Sequence, residues 1–261
     1  MLRSLQTAAT GMDAQQRIID TLSNNIANVN TTAFKSDRAH FNDLLYQNMR
    51  APGLSSTNGT LVPSGIQVGT GVKLVATDKI FTEGSIKITE KDTDLMIKGR
   101  GFFRIQMPDG NVSYTRDGSF QRSADGRIVT HEGFSLLPEI VVPPNTTSFQ
   151  IGLDGTTTAV VSGEAEPRNL GQIQIAQFVN PAGLAAMGRN LYGATAASGE
   201  PIVGNPGENA TGQLGQGQLE ASNVNIVDQM VQMIVGQRAY ELNSKVIKTG
   251  DEMLAAANQL R

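Results

Sequence analysis

The sequence has no cysteine and no tryptophan, and only 17% of its 261 residues are charged. Without cysteine, the chain cannot form disulfides, thiolate metal sites or a cysteine nucleophile. No apolar run approaches the roughly 18 residues that a transmembrane helix needs. We therefore expect neither disulfide bonds nor membrane insertion.

Net charge also excludes some partners. The formal charge of -3 provides no basic field, which makes nucleic acid or an anionic membrane surface an unlikely partner. The segment Met1–Thr7 lacks an apolar core and a cleavage site before the polar run that starts at Asp13, so we expect no cleaved signal peptide. With 39% apolar residues, the chain can nevertheless bury an ordinary core.

Heptad spacing near the amino terminus predicts one long amphipathic helix over about the first 30 residues. The Asn-rich run from Asn28 to Asn30 competes with the helical backbone and is expected to end this helix. Gln16 interrupts the spacing once. The apolar positions are Leu2, Leu5, Ala9, Met12, Ile19 and Ile26.

A second long helix is predicted at the carboxyl end, with Asn223 or Asn225 as its N-cap and Asp228 in its first turn. Its main apolar stripe advances in alternating steps of four and three: Val235, Ala239, Leu242, Val246, Thr249, Met253, Ala256 and Leu260. A second apolar set widens the stripe: Met230, Met233, Ile234, Tyr240, Ile247 and Leu254. A helix of this kind needs more than one neighbour.

The middle of the chain is rich in turn signals. Acid–glycine pairs at 109–110, 117–118, 125–126 and 132–133 recur about every eight residues between strand-like runs. The predicted fold is mainly β with α: a central antiparallel β domain plus long N- and C-terminal helices forming a coiled-coil-like terminal domain. We assign residues 1–35 and 223–261 to the terminal domain, 36–71 to an extended connecting arm and 72–222 to the β-rich domain.

Few residues suggest chemistry. His40 and His131 lie in unrelated segments, and Asp92-Thr93-Asp94 fits a turn before a strand better than a calcium site with six or more ligands. We predict no catalytic residue, no metal site and no cofactor. The pattern leaves two alternatives: the helices mediate head-to-tail polymerisation, or they cover a face of the β domain within one molecule.

Two long motifs at the ends of the chain resemble those of the flagellar rod and hook axial protein family. Residues 23–35, Ser-Asn-Asn-Ile-Ala-Asn-Val-Asn-Thr-Thr-Ala-Phe-Lys, are similar to the motif that follows the first helix in that family. Residues 220–225 and 233–245 resemble its carboxy-terminal motif. The similarity continues inward through 94–103, 114–120 and 190–192, which leaves little room for an additional catalytic domain.

The stretch at 41–53 and 61–65 is similar to one found in distal rod members of the family. In those members it is associated with a straight, stiff rod. The resemblance implies a structural subunit that leaves the cell through the flagellar type III export apparatus and polymerises into a hollow shaft across the periplasm, transmitting torque from motor to hook. Implied partners are further copies of itself, proximal rod proteins, the hook protein and the peptidoglycan and outer-membrane ring proteins.

This interpretation predicts an assembly interface in the terminal helices and the arm. Its residues are Leu2, Leu5, Met12, Ile19, Ile26, Asn28, Tyr46, Pro52, Pro63, Val235, Ala239, Tyr240, Leu242, Val246, Met253 and Leu260. Alternatives are a proximal rod protein, which would share both end motifs, a periplasmic β-rich peptidoglycan hydrolase, and an adhesin-like binding module.

Overall fold

The computed structural model describes residues 2–50, 64–163, 166–208 and 211–259, which form two compact units. The first unit contains residues 1–26, 37–78 and 225–261, and the second contains 27–36 and 79–224. The helices are α1 (Leu2–Ala27) and α2 (Ile226–Gln259). The strands are β1 (Asp37–Asp43), β2 (Gln47–Arg50), β3 (Ile66–Val68), β4 (Val72–Lys79), β5 (Ile86–Ile88), β6 (Leu95–Lys98), β7 (Phe102–Gln106), β8 (Val112–Thr115), β9 (Gln121–Arg122), β10 (Ile128–Val129), β11 (Ser135–Leu137), β12 (Thr146–Ile151), β13 (Thr156–Val161), β14 (Arg168–Gln172), β15 (Ile175–Gln177), β16 (Ala185–Gly188), β17 (Leu191–Gly193), β18 (Ile202–Gly204), β19 (Gln213–Gln216) and β20 (Gln218–Glu220).

Asparagine residues mark the end of α1 and the start of α2. The helix α1 ends at Ala27, directly before the Asn-rich run. At the start of α2, the Asn225 side-chain oxygen accepts a hydrogen bond of 3.1 Å from the Val227 amide, so Asn225 is the N-cap. Asp228 lies in the first turn, as predicted. Asn223, the other predicted cap, instead binds groups of the second unit.

In the first unit, α1 and α2 contact each other at four levels. A Cβ atom built on Gly250 would lie 2.7 Å from the Leu5 Cδ2 atom, and one on Gly11 would lie 3.0 Å from the Asn243 Nδ2 atom. Further along, Gly236 faces Ile19, and the Asn25 amide donates to the Gln229 side chain. Residue numbers rise on one helix as they fall on the other. The helices are therefore antiparallel neighbours.

The remaining strands of the first unit form two small pairs. Strand β1 pairs with β4, and β2 pairs with β3 in antiparallel register, with Gln47 opposite Val68. All four residues of β2 are exposed. A two-stranded hairpin has little stability by itself. Strands β1, β2 and β3 lie where the sequence predicted an extended arm, and β4 lies at the start of the predicted β-rich domain, yet the compact unit that contains the helices includes residues 37–78.

The second unit is built around a nine-stranded antiparallel sheet, in which β7 is the central strand. On one side β7 pairs with β8, and on the other its first residues pair with β15 and its last residues with β11. The path of neighbouring strands runs β16-β17-β8-β7-β11-β10-β9, and β18 adds to β15. A three-stranded sheet, β12-β13-β14, and the pairs β19-β6 and β20-β5 complete the described strands of this unit.

Alternation along β7 places side chains in two hydrophobic clusters. Phe103 and Ile105 are fully buried in the larger cluster, where the Phe103 and Phe120 rings meet edge to face with centroids 5.2 Å apart. Phe102 belongs to the smaller cluster and lies edge to face against Phe178 at 5.7 Å. Because successive strand residues point to opposite faces, a single strand contributes to both clusters.

Three of the four acid–glycine pairs lie in hairpin turns. Gly110, Gly126 and Gly133 have φ values of 79°, 81° and 87°, which glycine adopts at little cost. The fourth pair differs: a Cβ built on Gly118 would lie 1.7 Å from the Leu95 carbonyl oxygen. Gly118 is therefore required for close backbone approach, because β6 and the segment after β8 come together there.

The mainly β fold with a helix at each end and a central antiparallel β region is confirmed. The coiled-coil geometry of the helix pair stays a prediction. Segment assignment differs from the predicted one: residues 27–36 and 223–224 belong to the second unit, and residues 37–78 belong with the helices.

Candidate assembly surface

The helix α2 has two different apolar faces. One face packs toward α1 and is partly or fully buried: Gln229, Met233, Gly236, Asn243, Ile247, Gly250 and Leu254. The steps between them are four, three, seven, four, three and four, which fits a heptad repeat with one position skipped. The other face, which we call the exposed apolar row, comprises Val231, Val235, Leu242, Val246 and Met253, all of them exposed in the monomer.

The exposed apolar row shares Val235, Leu242, Val246 and Met253 with the main stripe predicted from the sequence. Val235 and Leu242 each keep 62% of their surface exposed, while Ala239 between them is half-buried. The α1 seam instead uses two glycines and two amides, and it also uses members of the second predicted apolar set. The two glycines let α1 approach closely, while Val235, Leu242 and Val246 remain on another face.

On α1, the buried positions lie beside the predicted ones. Ala8, Ala14, Leu22 and Asn25 are buried, whereas Leu5, Met12, Ile19 and Ile26 are half-buried. The exposed positions of α1 are largely polar, as with Asp13 and Arg17, whose surface ion pair is 3.7 Å long. Such a pair contributes little stability. In the described part of the chain, α2 therefore has the more apolar exposed face.

The other predicted interface residues are placed as follows. Asn28 is half-buried just after α1 and accepts a hydrogen bond from Thr31 at 3.2 Å. Tyr46 is exposed, and so is Tyr240 on α2. Hydrogen bonding to Asp43 raises the pKa of the Tyr46 hydroxyl above its ordinary value of 10.0. Pro52, Pro63, Leu260 and the Leu2 side chain lie outside the described residues.

A buried ionic cluster in the second unit brings the two end motifs together. The Lys35 ammonium lies 2.5 Å from one Glu220 carboxylate oxygen and donates to the Thr82 carbonyl at 2.6 Å. The Arg116 Nε atom donates to the other Glu220 oxygen at 3.1 Å. All three charged side chains are at least 95% buried. The Gly84 amide supplies a further hydrogen bond to Glu220, at 3.0 Å.

Asn223 extends this cluster along the carboxy-terminal motif. Its side-chain oxygen accepts from the Ser36 amide at 2.8 Å, and its nitrogen donates to the Ile80 carbonyl at 2.7 Å. Between the same two segments, the Ala33 amide donates to the Glu220 carbonyl at 2.8 Å. We call Lys35, Arg116, Glu220 and Asn223 the signature junction. Asn223 therefore has a role different from the helix cap that its position in sequence suggested.

Electrostatics in the junction favour an ionised Glu220. Burial opposes ionisation of this carboxyl, but Arg116 and Lys35 outweigh burial and hold its pKa below the ordinary 4.5. For Lys35, burial is the largest effect and lowers the ammonium pKa below 10.5, while Glu220 acts in the opposite direction. The cluster is thus held together by charge-assisted hydrogen bonds in a site shielded from water.

A second buried amide acts within the first unit. Asn25 accepts from the Asp37 amide and donates to the Asp37 carbonyl, both at 2.9 Å, and also donates to Gln229 at 3.1 Å. One side chain thus fixes the start of β1 and the first turns of α2. The predicted interface omitted this residue. The available signal was a polar side chain at a buried helical position.

Lys35 and Glu220 belong to the two end motifs, and the motifs did not indicate that the two residues bind each other. They are the only charged residues of segments 23–35 and 220–225, which was the available signal, but their partners could not be read from one sequence. The histidines lie apart: His40 is 2.5 Å from Asp78, and His131 contacts Gln121. Among the described residues, no group of three His, Cys, Asp or Glu side chains could hold a metal ion, and no helix is long and apolar enough to cross a membrane.

Comparison with known protein families gives three matches. Residues 5–35 match the flagella basal body rod protein family, residues 96–159 the flagellar hook protein FlgE/F/G D1 domain, and residues 216–260 the flagellar basal body rod FlgEFG protein C-terminal family. The first and last matches include the terminal helices and most of the signature junction. The central match includes β6 to β12.

Full-length relatives carry the same description. The chain is 49% identical over 260 residues to the flagellar basal-body rod protein FlgG of Buchnera aphidicola from Schizaphis graminum, with 100% of both chains covered. It is 49% identical over 263 residues to FlgG of Borreliella burgdorferi, covering 100% of this chain and 99% of the relative. FlgG of Caulobacter vibrioides is 46% identical over 261 residues, and both chains are fully covered.

Proposed function

The chain belongs to the flagellar basal-body rod protein family, and on that premise we propose that it is a structural subunit of the distal rod. The family is structural, and its members are named for the basal body. Full-length identity of 43–50% to FlgG proteins favours this assignment over a proximal rod protein. A peptidoglycan hydrolase has no support from the relatives.

The exposed apolar row of α2 is the observation that carries the proposal of polymerisation. A soluble monomer seldom leaves a continuous line of large aliphatic side chains in water, and such lines mark interaction surfaces. The antiparallel partner α1 already occupies a different face of α2. A second copy of the chain is therefore the proposed neighbour of Val235, Leu242 and Val246, through a head-to-tail contact that repeats without closing.

We further propose that the polymer is a hollow shaft across the periplasm that transmits torque to the hook. Its neighbours would be the proximal rod proteins, the hook protein and the ring proteins of the peptidoglycan and outer membrane. Export by the flagellar type III apparatus without a cleaved signal peptide is part of the same proposal. The predicted interface residues of α1, α2 and the arm would form contacts between subunits.

Polymerisation can be tested by placing a charge on the exposed apolar row. Leu242→Glu should prevent assembly, since a carboxylate buried between subunits without a partner is costly. The matched control is Gln237→Glu, which adds the same charge at an exposed polar position of α2. Purified proteins would be concentrated and followed by sedimentation and electron microscopy. Equal assembly of both variants would contradict the proposed surface, and a wild-type chain that never polymerises would contradict the function.

The alternative in which the helices cover the β domain within one molecule predicts a different result. In that case Leu242→Glu would lower the free energy of unfolding of the monomer by several kcal/mol, as expected for a buried unpaired charge. On the proposed surface the monomer keeps its stability within about 0.5 kcal/mol, because exposed substitutions cost little. Urea unfolding at low protein concentration, where no polymer forms, separates the two alternatives.

A further inference from the structure

The two end motifs meet in one buried cluster although they are far apart in the chain. Lys35 and Glu220 are separated by 185 positions and lie 2.5 Å apart at their charged atoms. The segment 27–36 follows α1 directly, and 221–224 precedes the Asn225 cap of α2. Thus the residue that ends the first motif and the residue that begins the second bind each other in the second unit.

The cluster joins the two segments by several independent bonds. Lys35 and Ala33 on the first segment bind the side chain and the backbone carbonyl of Glu220, and Ser36 binds Asn223. Arg116, at the end of β8, then ties Glu220 to the sheet, and its guanidinium also donates to the Gly99 and Gly101 carbonyls at 2.8 Å. Removing Glu220 would leave two buried cations without their shared carboxylate.

From this arrangement we propose that the signature junction is a positioning lock for assembly: it holds the segment leaving α1 and the segment entering α2 at one point of the second unit. The inference rests on the proposed polymer function. Unlike the hydrophobic clusters, the junction is built from charged and amide groups. Its main contribution is therefore to fix the positions of the two segments. We expect the exposed apolar row to bind a neighbouring copy only when both segments are held, because the helix that carries the row begins at the Asn225 cap, two residues after Asn223.

Burial of a complete ionic cluster fits a positioning role better than a purely stabilising one. A buried ion pair is often no more stabilising than apolar side chains of the same size, because the desolvation of the charges offsets their attraction. Directional hydrogen bonds from Lys35 and Arg116 to opposite oxygens of Glu220 do, however, specify one geometry. Nonpolar side chains of the same size would fill the site but would not specify the direction of these hydrogen bonds.

Lys35→Met is the most informative variant. Methionine fills a similar volume, and Glu220 keeps Arg116 and the Gly84 amide as partners, so no carboxylate is left without a donor. We expect amides 33–36 to exchange with solvent at least about tenfold faster, while amides of β7 and β8 keep their protection. The concentration needed for polymerisation should rise by about tenfold or more. Hydrogen exchange by mass spectrometry and sedimentation of the same full-length samples measure both quantities.

Two further variants support the test. Glu220→Gln removes the shared acceptor charge and is expected to affect assembly more than Lys35→Met does. The matched control is Arg127→Gln with Glu139→Gln, which removes an exposed ion pair of 3.2 Å in the same unit. This control should leave both exchange and assembly within twofold of the wild-type chain, because surface ion pairs contribute little.

The results separate the lock from the rod function. Faster exchange at 33–36 together with impaired assembly, and a protected sheet, would support the lock. Unchanged assembly in Lys35→Met would overturn it, even though the wild-type chain polymerises. Loss of protection throughout β7 and β8 in both junction variants would also overturn it, since the cluster would then be part of the sheet's folding core. A wild-type chain that fails to polymerise would refute the proposed function itself.

Discussion

The two units differ in how far they bury their apolar residues. In the second unit, Phe103, Ile105 and Leu136 are completely buried between strands. In the first, Val227 keeps 68% of its surface exposed, and Leu242 keeps 62%. Both units contain aliphatic residues at regular spacing, yet only the second has enough layers to enclose them. In the described part of the first unit, two helices and two strand pairs leave one face of α2 exposed.

This difference shows why the periodicity of a helix does not identify its partner. A heptad pattern predicts that one face of α2 is apolar. The structure shows that α1 contacts a different face of α2, which includes Gly236, Asn243 and Gly250. Val235, Leu242 and Val246 remain exposed on the other face and are available for association. The polar groups that join separate segments also differ between the units. Asn25 binds neutral groups, whereas the signature junction uses three buried charges.

The largest expected effect concerns the core of the second unit. Phe103→Ala should lower its free energy of unfolding by about 3–5 kcal/mol, because it removes a fully buried ring and leaves a cavity beside Phe120. Urea unfolding followed by near-ultraviolet circular dichroism would measure the loss. A change below about 1 kcal/mol would mean that the core is loosely packed, and the contrast between the units would weaken.

Acid should weaken the second unit through Glu220. Its folded pKa is depressed below 4.5, so its contribution to stability is present above pH 4.5 and is lost as the pH falls through the folded pKa. The difference in free energy of unfolding between wild type and Glu220→Gln should therefore narrow from pH 6 to pH 3. Urea titrations at several pH values would measure that difference. A constant difference would show that ionisation of Glu220 contributes nothing.

Two glycine substitutions on α2 should differ by about 1–2 kcal/mol. Gly236→Ala should stabilise the helix pair by up to about 1 kcal/mol, because its methyl group would lie 3.4 Å from Ile19 and alanine favours helix. Gly250→Ala should not stabilise the helix pair, because its methyl group would lie 2.7 Å from the Leu5 side chain, which would have to move. Thermal unfolding monitored at 222 nm reports the helices. Equal shifts in Tm for the two variants would argue against the described contact between α1 and α2.

The smallest effect on the monomer is expected at the exposed apolar row. Leu242→Ala should change the free energy of unfolding by less than about 0.5 kcal/mol, because the side chain is exposed. If the row binds a second copy, the same substitution should still raise the concentration needed for assembly. Urea unfolding and sedimentation give the two values. A loss of several kcal/mol in the monomer would place Leu242 in an intramolecular contact and remove the contrast.

Several local features could be predicted because their causes are local. Asn225 caps α2 through its own side chain, and the Asn-rich run ends α1 within one residue of the expected position. Asp125-Gly126 and Glu132-Gly133 form turns because glycine there has a positive φ. Asp117-Gly118 has the same sequence pattern but serves a contact with Leu95, which no local rule could reveal.

The sequence by itself determined the helical ends, the antiparallel β centre, most hairpin turns and membership of the flagellar rod family. These features depend on side-chain periodicity, on backbone preferences and on motifs read along the chain. Tertiary structure alone decided which face of α2 contacts α1, and it decided that Lys35, Arg116 and Glu220 form one buried cluster. The physical reason is that packing and charge pairing depend on distances between remote residues, and an amphipathic pattern does not contain those distances.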